Sequence, residues 1–258
     1  MLDCFTTVIG VDREHLEQLK LVIKTWEKHK AEIFGNTLIV FADGKEMKQG
    51  LLKEKDIYDV IKIHPSHLLI RWDSEGSTNK ERMLAGFVHV AARYVETKYY
   101  LKLDTDTVAS FTSDDWLPLE WFRNDPVIVA HRWSYTKPPD QMIRLDEWVE
   151  YHKEKLPELN RFSALGLVPK PGSDCLPHKR IISWCGVFST EFTKLCSEFC
   201  SRTVGSTVLP VSSQDGFLWY CAKRMRLPIL EVNMKAKGWE HWHTMENLRM
   251  YCDYSLKR

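Results

Sequence analysis

Apolar residues fall in short runs divided by stretches with helical spacing. Residues 3–10 are β-branched and aromatic and stop at Gly10, which predicts a first strand. Behind it, Asp12 is placed to cap a helix in which Leu16, Leu19, Ile23 and Trp26 recur at helical intervals through about Lys30. Gly35-Asn36 breaks the chain before Leu38-Ile39-Val40-Phe41, a wholly apolar run of the kind buried in parallel sheets, which ends at Ala42-Asp43-Gly44. A short helical piece and a third strand at 59–64 are expected next. The turn formers of residues 73–79 then lead into the longest helix, about 80–95, which buries Met83, Leu84, Phe87, Val88, Ala91 and Tyr94. Residues 98–108 follow as an apolar strand that delivers Asp104 and Asp106 at its end. This rhythm predicts an α/β domain: a central, mostly parallel sheet with right-handed crossovers, flanked by helices.

The second half has a different texture. Residues 126–131 are another apolar run, but residues 132–180 are mixed in charge and carry Pro138, Pro139, Pro157, Pro169, Pro171 and Pro177, with a helix expected at about 141–155. Long irregular insertions of this kind are functional loops or lids. A strand at 181–188, a helix from Thr190 to about Cys200, a helix start at Ser212-Ser213-Gln214-Asp215 and a last strand at 228–232 complete the pattern. The tail holds Trp239-Glu240-His241-Trp242-His243. With no repeat, low-complexity tract or linker, residues 1–258 read as one domain.

Composition adds limits. The chain has 258 residues, 44% of them hydrophobic, enough for a core without staples. A net charge of +1 argues neither for nor against nucleic acid, although residues 1–130 carry −4 and residues 131–258 carry +5. Seven cysteines, scattered and without a Cys-x-x-Cys pair, read as free thiols in a reducing compartment. The start goes straight into a strand and no run approaches a membrane span, so the expectation is a cytoplasmic protein or a trimmed soluble domain.

The candidate chemistry centres on Asp104 and Asp106. In an extended chain the two lean to one face, where they repel unless a cation lies between them. A hard divalent ion, Mn2+ or Mg2+, suits their oxygens and can hold a diphosphate as well. The competing account is an acidic turn that merely ends a strand. Asp43, just past a parallel strand, stands where open α/β sheets bind ligands, or is a turn residue. Ten tryptophans offer flat faces for sugar rings or unstacked bases. No Gly-x-Gly-x-x-Gly follows any strand, which disfavours a dinucleotide oxidoreductase.

In order, an N-terminal strand with Thr6-Thr7-Val8, a second strand ending at Asp43-Gly44, Asn79-Lys80-Glu81-Arg82, Asp104-Thr105-Asp106, Trp184-Cys185-Gly186, Gln214-Asp215 and a late histidine resemble the GT-A-fold glycosyltransferases over nearly the whole chain. The closest pattern is the inverting group. The resemblance implies a Rossmann-like fold with a donor half at 1–110 and an acceptor-binding and catalytic half at 111–258. It implies a nucleotide-diphospho-sugar donor, UDP-linked by expectation, contacted by Thr7, Asp43, Arg82, Asp104 and Asp106. Mn2+ or Mg2+ would be held by Asp104, Asp106 and either His241 or His243, with Asp215 as the base. Trp184, Gly186 and Trp133 would meet the acceptor. Gln214-Asp215 stands where that group often carries Glu-Asp, and no late Arg-x-x-Arg-Trp element is present. The acceptor is a glycan or small molecule, or a hydroxymethylated base in DNA met by Lys170, Lys179, Arg180, Lys223, Arg224, Arg226, Lys235 and Lys237. The competing classes are a nucleotidyltransferase of the same fold, disfavoured because Gly10-Val11-Asp12-Arg13 is not its Gly-rich basic signature, and a binding domain without catalysis.

Overall fold

A computed structural model describes residues 5–62, 64–132, 181–204, 209 and 214–258. The helix expected at 141–155, Trp133, Lys170, Lys179, Arg180 and the capping serines Ser212 and Ser213 lie outside these residues. The first strand, β1 (Thr6–Val11), is buried along its whole length. Asp12 then caps α1 (Arg13–His29), its Oδ1 accepting from the His15 amide at 2.8 Å, and Leu16, Leu19, Ile23 and Trp26 face inward as expected. After β2 (Thr37–Asp43) come two short helices, α2 (Gly44–Lys48) and α3 (Glu54–Ile61), and then β3 (His67–Trp72).

The strand expected at 59–64 is therefore corrected. Residues 59–61 are the last turn of α3, because Ile57 and Ile61, four apart, both turn into the core. Pairing with β2 starts only at His67, past the break at Pro65. The long helix α4 (Asn79–Tyr94) opens on a reciprocal capping box between Thr78 and Glu81. It leads into β4 (Tyr99–Leu103), and the rest follows as β5 (Thr107–Ala109), β6 (Ile128–Arg132), β7 (Ile181–Ser189), α5 (Thr190–Val204), α6 (Gln214–Arg224), β8 (Ile229–Val232), β9 (Trp239–His241) and α7 (Met245–Lys257). Neither β9 nor α7 was expected from the hydrophobic pattern.

Seven strands form one sheet in the order β3-β2-β1-β4-β7-β6-β8. It is mostly parallel, with β7 reversed against both β4 and β6. One apolar core lies between the sheet and α4, α5 and α6, and a second between the sheet and α1, α3 and α7. In the first, Phe41 wedges between β1 and α4, and a Cβ on Gly10 or Gly86 would run into its ring. These two glycines let the helix come close to the sheet beside the strand ends. A separate two-stranded ribbon pairs β5 with β9, setting Thr107 opposite His241. Cys185, Cys196, Cys200, Cys221 and Cys252 are buried. No helix among the described residues is long and apolar enough to cross a membrane.

Candidate active site

The strand order reverses between β1, which continues to β2, and β4 on its other side. Open α/β sheets bind ligands at such a switch point, outside the C-terminal strand ends. A cleft of about 560 Å³ lies there, lined by Gly10 and Asp12 after β1, Asn79 and Lys80 from α4, Asp104, Thr105 and Asp106 after β4, and His241 and His243.

Asp104 and Asp106 do not alternate along a strand as expected. A turn closed by the Thr107 amide on the Asp104 carbonyl, 3.1 Å, separates them, and the Asp104 amide donates to the Trp184 carbonyl of β7 at 2.8 Å. The turn gives the two carboxylates different surroundings. Asp104 Oδ1 lies 2.6 Å from the ammonium of Lys102. Its seat low in the cleft raises its pKa, Asp106 and Asp215 push the same way, and Lys102 opposes them. Asp106 lies 2.9 Å from His241 Nε2 through Oδ1 and 3.7 Å from His243 Nδ1 through Oδ2. Burial alone would raise its pKa, but the two imidazoles outweigh that and hold it below the ordinary value.

The donor atoms of Asp106, His241 and His243 all lie within 4.8 Å of one another. One carboxylate oxygen and two imidazole nitrogens suit a divalent transition ion, with room for further ligands on the cleft side. The ribbon places them: β9 pairs with β5 antiparallel, and the Trp242 amide donates to the Asp106 carbonyl at 3.1 Å. His241 also stacks on the Trp184 indole, with ring centres 5.6 Å apart and planes 9° off parallel, which fixes its orientation.

The remaining expected residues sit as follows. Asp43 is wholly buried and accepts from the Lys45 and Glu46 amides. Arg82 grips the same carboxylate, with Nη2 at 2.7 Å and Nε at 3.0 and 3.1 Å from its oxygens, and donates through Nη1 to the carbonyls of Gly76 and Ser77. The two are spent on each other and on the loop before α4. Thr7 is the second residue of the wholly buried β1, four residues short of its C-terminal end. Trp184 is buried behind His241, and Gly186 pairs with Lys102 within the sheet. Asp215, in the first turn of α6, is half-buried, and its charge acts on both Lys102 and Asp104. The amide of Gln214 beside it is buried without a hydrogen-bond partner.

Sequence reasoning missed His15 and Lys102 and saw Asp12 only as a cap. Asp12 Oδ2 lies 2.5 Å from His15 Nδ1 and accepts from the Asn79 side-chain Nδ2 at 2.7 Å. Burial opposes ionisation of both partners, but their pairing wins: Asp12 is lowered and His15 raised, with Asp104 and Asp106 adding to the latter. The available signal was position, since Asp12 directly follows β1 and Asp43 ends the neighbouring β2.

No family model and no curated protein sequence matches this chain. Solved structures do share its fold. The chain is similar to the galactosyltransferase LgtC, solved with donor and acceptor sugar analogues, at a TM-score of 0.53 and 10% identity over 98% of this chain and 96% of that one. It is likewise similar to the core-mannan synthase CmsA/Ktr4 of Aspergillus fumigatus in its Mn/GDP form, at a TM-score of 0.53 and 11% identity over 92% and 74%. The fold is therefore that of the GT-A glycosyltransferases.

Proposed function

We propose that the protein is a metal-dependent glycosyltransferase that moves a sugar from a nucleotide-diphospho-sugar to an acceptor hydroxyl. The observation that carries this reading is the convergence of Asp106, His241 and His243 at the switch-point cleft of a GT-A fold, beside Asp104. Asp106, His241 and His243 would hold the ion, and their two nitrogens favour Mn2+ over Mg2+. Bound there, the ion supplies Lewis-acid neutralisation for the departing diphosphate. Asp104 would contribute its carboxylate to the donor. Asp43 and Arg82 serve the donor from behind, by bracing the start of α2 and the loop before α4.

Asp215 is the proposed base. The acceptor oxygen attacks the anomeric carbon, the bond from that carbon to the diphosphate oxygen breaks with its electron pair leaving on the diphosphate, and the acceptor proton passes to the Asp215 carboxylate. Such a displacement inverts the anomeric centre. Trp184 supports the reaction through His241 rather than by an open face of its own. A glycan or small-molecule hydroxyl is the proposed acceptor. The basic residues that would favour DNA are partly engaged elsewhere: Lys237 donates to the Asp115 carbonyl and Lys223 lies over Trp219.

The test is turnover of UDP- and GDP-hexoses with Mn2+, compared with the same mixture in a chelator. Asp215→Asn keeps shape and removes basicity, so transfer is expected to fall about 10²–10⁴-fold with donor binding retained. Turnover that survives the chelator removes the metal from the reading, and an unimpaired Asn variant removes Asp215.

A further inference from the structure

Asp12 and His15 take no part in the chemistry above, although both line the cleft. The Asp12 side chain is 1% exposed and three donors converge on it. Oδ1 accepts from the His15 amide at 2.8 Å, Oδ2 accepts from Asn79 Nδ2 at 2.7 Å, and His15 Nδ1 lies 2.5 Å from the same Oδ2. An ionised carboxylate can only accept, so the hydrogen between the two side chains belongs to Nδ1 of His15. That leaves Nε2 as the working end of the ring. The imidazole keeps 43% of its surface exposed, and Nε2 has no hydrogen-bond partner among the described residues. A carboxylate that fixes one ring nitrogen and presents the other is how a histidine is held for contact with a substrate.

We infer that His15 is a phosphate-contacting residue, its Nε2–H donating to an oxygen of the donor's diphosphate from the β1 side of the cleft, with Asp12 as the positioning residue that fixes the ring. This rests on the glycosyltransferase reading, and the contact it adds is made by the chain itself. The charges around the ring supply the reason. Beside Arg13 and Glu14 of its own helix, the ring shares the cleft with Glu46 of α2, Lys80 of α4, Asp104 and Asp106 past β4, and His241 and His243 of the cation corner. With every histidine neutral, five carboxylates (Asp12, Glu14, Glu46, Asp104 and Asp106) face two cations (Arg13 and Lys80), leaving three negative charges unmatched. Such a cleft repels a diphosphate. A divalent ion offsets two of the three, and a proton on His15 offsets the last. Burial opposes that proton, but the Asp12 hydrogen bond and charge, with Asp104 and Asp106 behind them, outweigh it and raise the pKa of the ring. An imidazolium has no acceptor to offer, so it favours an anionic oxygen over the mixed donors and acceptors of a sugar or a nucleobase.

The experiment uses the full chain and titrates UDP, GDP, uridine and guanosine with Mg2+, a diamagnetic ion that leaves histidine NMR signals sharp. In His15→Ala the diphosphate that binds wild type is expected to bind about 10- to 100-fold more weakly, the loss of a hydrogen bond to a charged group, while the matching nucleoside binds as before. In wild type the ring proton of His15, assigned by its absence from that variant, reports the ring's titration. Saturation with the diphosphate is expected to move that titration to higher pH, because an anion at Nε2 favours the charged ring. Asp12→Asn still caps α1 but removes the charge that holds the ring, so the titration moves to lower pH and diphosphate affinity falls with it; this variant keeps the test readable if His15→Ala does not fold. Diphosphate affinity that His15→Ala leaves intact overturns the contact. So does an equal loss for nucleoside and diphosphate, which would make His15 only part of the wall, and so does a His15 titration that the diphosphate does not move. A wild type that binds neither UDP nor GDP overturns the glycosyltransferase reading and the contact with it.

Discussion

Asp43 is the last residue of β2 and Asp106 lies three residues past β4, yet the first is sealed and the second left open. Asp43 is wholly buried, capped by two backbone amides and gripped by the Arg82 guanidinium. Asp106 keeps 15% of its side chain exposed and faces two imidazoles, one of them on a side chain 82% exposed. A guanidinium is always charged and its fork satisfies a carboxylate completely, so the Asp43 corner is a finished ion pair. An imidazole, unlike a guanidinium, can present a ring-nitrogen lone pair to a metal, so the Asp106 corner is one that could hold a cation. Two acidic strand ends of one sheet are thus told apart by the chemistry of their partners.

The comparison can be broken most sharply at Arg82. Arg82→Met leaves Asp43 buried with no counter-ion and is expected to cost about 3–5 kcal/mol in urea unfolding, while Mn2+ affinity in the folded fraction is unchanged. Adding Asp43→Asn should return part of that loss. Asp106→Ala reverses the pattern: unfolding changes little, but Mn2+ affinity falls at least about 100-fold, since removing even second-shell groups of a metal site costs 10–100-fold. Equal metal binding by this variant would show that the histidines do not form a site with Asp106.

A third, smaller effect concerns a buried charge with no carboxylate against it. Lys30 is 0% exposed, donates to the Phe111 carbonyl at 3.0 Å and lies over the rings of Phe111, Trp116 and Trp239. Burial pulls its pKa down to about 8 from 10.5, so the folded state binds fewer protons than the unfolded state between those values. Stability therefore rises with pH across that window, and below pH 8 the cost of the buried charge is felt in full. Wild type should gain about 2 kcal/mol on Lys30→Met between pH 8 and 10.5, read from denaturation curves of the two proteins. A constant difference would mean that the aromatic rings fully compensate the ammonium.

Much of the fold was legible because apolar runs and cap residues state their elements locally. Asp12 as the cap of α1, the apolar run in β2 and the stretch from α4 to β4 needed nothing from elsewhere in the chain. The strand expected at 59–64 failed because Val60, Ile61 and Ile63 are the β-branched residues that strands favour, whereas Ile57, which decides the matter, lies upstream at helical spacing. β9 was missed because three residues, Trp239, Glu240 and His241, carry no period, and only their pairing with β5 makes them a strand. At the candidate site, Asp104 and Asp106 stood out by position, but the turn between them depends on a hydrogen bond to β7, and the pairing of Asp104 with Lys102 on the burial of that strand. A lysine between two leucines gives no local hint of the carboxylates it will meet.

The ribbon that joins β5 to β9 ties residue 106 to residues 241 and 243, so the cation corner spans more than half the chain. A metal bound there is a ligand of the native state alone, since the unfolded chain keeps these groups far apart. Mass action then turns occupancy into stability: free ion at 100 times its dissociation constant would add about 2.7 kcal/mol. The same linkage couples the last strand and helix to events in the cleft. If an ion is held there, its loss would loosen the C-terminal segment, and a chain in which that segment has not yet docked would not retain it.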